Sequence, residues 1–137
     1  MKEPVVLVVG GLDTGNGAGV ESDVKALASI GVHGVIALSA VTIQTTKGIK
    51  RVVPMGLDVF RANLEEVIED FKPKVVKTGM LWEGQPRILK EVSEKYGLKL
   101  VIDPVFRAKD GSVLIPDIEG FRELVRGSYA ITPNVPE

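Results

Sequence analysis

Residues 4–30 read PVVLVVGGLDTGNGAGVESDVKALASI, and the change of period inside this stretch decides the fold class. Pro4–Gly10 is a run of valine and leucine with no polar alternation, the pattern of a strand covered on both faces. A cluster of glycines with Asp13, Thr14 and Asn16 interrupts the run. From Gly17 to Ile30 the apolar residues Val20, Val24, Leu27 and Ile30 fall on one face of a predicted helix. A buried strand, a glycine-rich turn and a helix, in that order, open an alternating α/β chain.

The alternation persists outward from there. Val35–Ile43, Lys74–Thr78, Lys99–Ile102 and Tyr129–Thr132 read as further strands, and Ile49–Pro54 as a short extra one. Leu57–Phe71 predicts a helix with Phe60, Leu64, Val67 and Ile68 on one face. Gln85–Tyr96 predicts a second, closed by Gly97, and Ile118–Arg126 a third, ended by Gly127. Arg107–Pro116 is a turn-rich loop. Strands joined by helices of this length pair in parallel through right-handed crossovers. The expected architecture is α/β: a doubly wound, mostly parallel open sheet with helices on both faces, in one domain over residues 1–137. The last strand has no covering helix before Glu137, which would leave apolar sheet face in water. The expectation is a chain truncated after its fifth main strand, or a partner that covers the gap; a natural edge strand is the alternative.

Composition narrows the function classes. The 137 residues include 17 basic and 18 acidic side chains, a net charge of −1, so no cationic surplus points to nucleic acid or anionic lipid. Cysteine is absent, which removes disulfides, thiolate metal sites and a cysteine nucleophile. The apolar run at the start is too short for a signal peptide or a membrane span, so a cytoplasmic location is expected.

In open parallel sheets ligands bind beyond the carboxyl ends of the strands. Each such end here is glycine-rich or polar: residues 10–19, Thr42-Ile43-Gln44-Thr45-Thr46, Lys77-Thr78-Gly79-Met80, Asp103-Pro104-Val105 and Thr132 to Glu137. The glycine-rich loop opens a helix, so its amides could hold an anion; equally, the glycines could serve only a tight turn. It is no dinucleotide fingerprint, because Val20 stands where a third glycine would be needed, and no Gly-Lys-Ser/Thr ending marks a P-loop.

Taken together, Gly11 through Gly19 with Asp23-Val24-Lys25, Thr42 through Gly48, Lys77-Thr78-Gly79-Met80-Leu81, Asp103-Pro104-Val105 with Ala108, Lys109 and Gly111, and Asn134-Val135-Pro136-Glu137 resemble, in colinear order, the hydroxymethylpyrimidine and phosphomethylpyrimidine kinases of thiamine synthesis. These belong to the ribokinase-like superfamily. The resemblance implies ATP as co-substrate, magnesium, and hydroxymethylpyrimidine or its phosphate as substrate. It implies that Gln44 hydrogen-bonds the aminopyrimidine, for which an amide offers donor and acceptor side by side. It places Gly11, Asp23, Met80 and Val105 in the same pocket, Asp103 and Glu137 at magnesium, and Lys109 and Asn134 near phosphate. Magnesium takes few carboxylates plus waters and phosphates, which suits two acids. Asn16 departs from the usual glycine, a tolerable change because asparagine visits left-handed geometry. No Gly-Thr-Gly loop occurs, so the family's anion hole and catalytic residue are not found and the chain alone is expected to be inactive.

Simpler roles compete for each residue. Gln44 could cap a turn, Asp23 could be a solvated helix residue, Met80 could be core filler, and Asp103 before proline could shape a turn. Trp82 could wall the pocket or simply pack, and His33 reads as a surface residue. A pyridoxal-type kinase of the same superfamily and a non-catalytic pyrimidine-binding module are the competing functions. A homo-oligomer is a further expectation, from the exposed sheet.

Overall fold

The computed structural model describes residues 2–105 and 117–137. In chain order the elements are β1 (Val5–Leu12), α1 (Gly19–Ser29), β2 (His33–Thr45), β3 (Gly48–Pro54), α2 (Leu57–Phe71), β4 (Val75–Thr78), α3 (Gln85–Tyr96), β5 (Lys99–Ile102), α4 (Ile118–Arg126) and β6 (Ala130–Ile131). The sheet runs β3-β2-β1-β4-β5-β6, parallel throughout except for the antiparallel β2–β3 pair. The expected open α/β sheet is present. The loop expected over Arg107–Pro116, with Ala108, Lys109 and Gly111, lies outside the described residues.

β1 lies between β2 and β4, and its Leu7, Val8 and Val9 are all fully buried, as the unbroken valine run predicts. One face carries α1, which packs on β1 and β2. There Gly34 makes room: a Cβ would press against Val24 and Leu27 of the helix. On the other face α2, α3 and α4 form a row, and the main core is built from that face. Leu7, Val9 and Ala37 of the sheet meet Phe60, Leu64 and Ile68 of α2, then Leu89 and Val92 of α3 and Leu124 of α4.

The departures from the sequence reading have local causes. Ile30 is not part of the buried face of α1; it is the C-cap residue and 73% exposed. β1 runs two residues further than its valine run, to Leu12, because a register shift at Gly10/Gly11 lets it keep pairing with β2. β2 extends to Thr45 rather than stopping at Ile43. Its last pair with β1 is Leu12↔Val41, and residues 42–45 find hydrogen-bond partners on β3 instead. The β2–β3 hairpin therefore projects past the sheet's carboxyl edge and carries Gln44 with it. His33 opens β2, exposed as expected, with its ring beside Phe71.

Candidate functional site

Three strand ends build an apolar wall. A Cβ on Gly11 would collide with Met80 Cε, so the Met80 side chain lies directly over the β1 backbone. Met80 is buried with Ala40, and Ile49, Val52 and Val105 pack against that pair. Gly11, Met80 and Val105 are thus brought together from the ends of β1, β4 and β5. Gln44 stands in register with Ile49 and Thr42 with Val52, so the hairpin adds a polar strip to the same wall. Gln44 Nε2 donates to Thr42 Oγ1 at 2.7 Å, and Thr42 Oγ1 donates to the Leu12 carbonyl at 2.6 Å. This relay orients the amide from β1 outward. Among the described residues Gln44 Oε1 has no protein donor, which leaves an acceptor for a ligand.

The glycine-rich loop serves a different end from the one its amides suggest. Asp13 folds its carboxylate into the loop and accepts from the amides of Gly15 at 2.9 Å, Gly17 at 3.1 Å and Ala18 at 2.9 Å. These donors are taken by the chain's own anion. Asn16 adopts φ 56°, the left-handed geometry that asparagine tolerates. Thr14 Oγ1 donates to the Gln44 carbonyl at 3.3 Å, tying the loop to the hairpin.

A charged cluster occupies the α1 side of the edge. Lys77 Nζ on β4 lies 2.7 Å from Asp23 Oδ2 on α1 and 3.8 Å from Asp103 Oδ2 at the end of β5. The structure groups Asp23 with Asp103 through this lysine. The Asp103 carboxyl is held above its ordinary range, first by burial and then by the negative charges of Glu137 and Asp23, against the opposing pull of Lys77. Glu137 is thereby within electrostatic reach of Asp103. It also makes a reciprocal pair with Asn134: the Glu137 carboxylate accepts from the Asn134 amide at 3.0 Å, and Asn134 Oδ1 accepts from the Glu137 amide at 3.1 Å. That is capping-box geometry, so the Asn-x-x-Glu pattern has a local conformational role beside any ligand role. Lys109 lies outside the described residues.

Lys77, Thr42 and Asp13 were not singled out as site residues from the sequence. A lysine within the apolar strand VVKT was a readable signal for the first, and Asp-Thr-Gly for an Asx turn at the last. Two surface depressions lie away from this edge, one lined by Glu66, Val67, Glu69, Asp70 and Phe71 and the other by residues that include Ile68, Lys72, Pro73, Tyr96 and Leu98. Neither contains a candidate site residue.

A family model described as phosphomethylpyrimidine kinase matches residues 13–137. The chain belongs to that family. The hydroxymethylpyrimidine/phosphomethylpyrimidine kinase of Bacillus subtilis (strain 168) is 41% identical over 138 aligned residues, which cover 96% of this chain and 50% of the relative. The crystal structure of phosphomethylpyrimidine kinase from Clostridium difficile 630 superposes with a TM-score of 0.82 at 34% identity, over 98% of this chain and 60% of that one. The pyridoxal kinase of Staphylococcus aureus, solved with AMP-PCP, gives a TM-score of 0.76 at 29% identity, over 98% of this chain and 50% of that one. The chain spans about half the length of the curated relative.

Proposed function

We propose that the chain carries the substrate-binding side of an ATP-dependent kinase that phosphorylates hydroxymethylpyrimidine and its monophosphate in thiamine diphosphate synthesis. The observation that carries this reading is the convergence of Gly11, Met80 and Val105 into one apolar wall beside the Gln44 amide. A flat heteroaromatic ring needs an apolar surface for its face and a paired donor and acceptor for its edge. The wall offers the first. Gln44 offers the second, with Oε1 open and Nε2 resting on a hydroxyl that a ring nitrogen could replace as partner.

The opposite part of the edge suits phosphate chemistry. Asp103 and Glu137 would hold magnesium, whose positive charge fits a place where, among the described residues, the carboxylates of Asp23, Asp103 and Glu137 outnumber the one cation, Lys77, and the Asp103 carboxyl is raised by burial and by its acidic neighbours. When bound, magnesium neutralises charge on the transferring phosphate. Lys77 holds Asp23 and Asp103 in place and limits their mutual repulsion. Asn134 and Lys109 are proposed phosphate contacts, with Asn134 held by its bonds to Glu137. Asp23 is proposed to meet the substrate from α1.

Residues 1–137 on their own are expected to bind pyrimidine without turning it over, since no Gly-Thr-Gly loop is present to supply an anion hole. Calorimetric titration with hydroxymethylpyrimidine and with pyridoxal, followed by an ATP-dependent phosphorylation assay on mass-verified chain, tests both parts. Tighter binding of pyridoxal would instead favour the function in the name of the Staphylococcus aureus neighbour. Absence of pyrimidine binding would overturn the substrate assignment, and clear turnover would show the catalytic machinery to be misplaced.

A further inference from the structure

Two buried polar side chains beneath the apolar wall have no place in the ligand contacts above. Gln85 opens α3 and is fully buried. An apolar residue of similar volume would fill that space without the cost of taking an amide out of water. The amide is nevertheless fully employed. Gln85 Oε1 accepts from the Trp82 amide at 2.7 Å, and Nε2 donates to the carbonyls of Ser39 at 2.8 Å and Met55 at 3.4 Å. Ser39, itself fully buried on β2, donates from Oγ to the Met80 carbonyl at 2.6 Å.

These bonds share one target. The link between β4 and α3 has no strand or helix ladder of its own, and it must place Met80 against Gly11. Ser39 holds its Met80 end and Gln85 its Trp82 end, and both anchor it to β2. The Met55 amide also donates to the Ser39 carbonyl, at 2.9 Å, so the chain entering α2 joins the same knot. Packing alone could bury a methionine here in several rotamers, because its thioether side chain is flexible. Fixing the backbone on either side of Leu81 sets where that flexible side chain starts and so narrows the places its methyl can reach.

We infer that Gln85, acting with Ser39, is a positioning residue that sets Met80 on Gly11 and so fixes the depth of the ligand pocket. The ligand part of this inference rests on the pyrimidine reading; the positioning part does not. In the parent only Met1, Met55 and Met80 carry methyl sulfides, so a chain labelled at methionine methyl groups gives three signals to assign, and Gln85→Met adds a fourth that is recognised by its absence from the parent spectrum. In the parent, an Overhauser effect from the Met80 methyl to the Gly11 α-protons is expected. In Gln85→Met that effect should be lost while the amide spectrum stays dispersed, and hydroxymethylpyrimidine should bind about ten-fold more weakly, a change near 1.4 kcal/mol. Gln85→Glu keeps the acceptor but sets a second oxygen against the Ser39 and Met55 carbonyls and buries a charge, so it should lose at least as much as Gln85→Met. A folded Gln85→Met with the methyl contact intact would overturn the inference, as would an affinity loss matching only the unfolded fraction. If Gln85→Met does not fold, Ser39→Ala decides by the same signal, since it removes the Ser39 bond to the Met80 carbonyl. Should the parent bind no pyrimidine, the substrate reading falls, and the methyl contact still decides the role of Gln85.

Discussion

At the β1–β2–β4 end of the carboxyl edge, Ser39, Ala40, Thr42, Thr78 and Met80 are all buried, and each hydrogen bond from Ser39, Thr42 and Gln85 reaches across to another element. At the β5–β6 end, β6 is two residues long, Tyr129 and Val135 are exposed, and the Asn134–Glu137 bonds span only three residues. The first region is set by tertiary packing and the second by local geometry and unbalanced charge. A rigid aromatic ring can be recognised by a prebuilt wall. Phosphate and metal bring their own charge, so the region that receives them can stay open and electrostatically incomplete until they arrive. Under the proposed function the contrast has a use: shape is stored on one side and charge on the other.

The contrast breaks first at the core. Phe60 is fully buried beneath β2, so Phe60→Ala should cost about 3–5 kcal/mol of unfolding free energy in urea titrations. Val135, fully exposed at the other end, should tolerate alanine within roughly 0.5 kcal/mol. Comparable losses from the two would show that the β6 end is packed after all. At the wall itself, Gln44→Leu should leave ring polar atoms unpaired and weaken hydroxymethylpyrimidine binding by about 1–3 kcal/mol per lost group. Thermal stability should change little, because among the described residues the Gln44 side chain bonds only to the hydroxyl of Thr42, which keeps its own bond to Leu12. Unchanged affinity by calorimetry would remove Gln44 from the site.

The sequence revealed local features more readily than those made across the sheet. The valine run of β1, the left-handed Asn16 and the helix ended by Gly97 are dictated by neighbouring residues, and each was readable. The hairpin extension of β2 was not, because its hydrogen-bond partners lie on β3 and no property of residues 42–45 announces them. The Asp13 carboxylate inside its own loop was half legible: the turn residues were plain, the capture of three amides was not. Gln85 left no trace at all. A glutamine after glycine and before proline reads as a solvated helix start, and only the fold places it under Met80. Lys77, a cation in an apolar strand, is a signal that the sequence holds, but its two acids come from residues 23 and 103, far away in the chain.

The smallest expected effect tests the charged end most directly. Asp103 is partly exposed, and its carboxyl is raised above the usual carboxylate range, chiefly by burial and then by Glu137 and Asp23, with Lys77 opposing. A raised carboxyl binds its proton more tightly in the folded chain than in the unfolded one. Stability therefore falls as pH rises from the unfolded carboxylate range through the folded value, and the penalty persists at neutral pH. Asp103→Asn has no such proton to lose. Relative to the parent it should be no more stable in acid, below the unfolded value, and slightly more stable at pH 7. Melting curves of both proteins across pH 3–8 would show the gap opening with pH if this reading holds. Magnesium should then narrow the gap at pH 7 by stabilising the parent alone, since the ion relieves the same excess of negative charge. A gap that is constant with pH would mean that Asp103 is a turn residue before Pro104, and equal magnesium responses would remove it from the metal site.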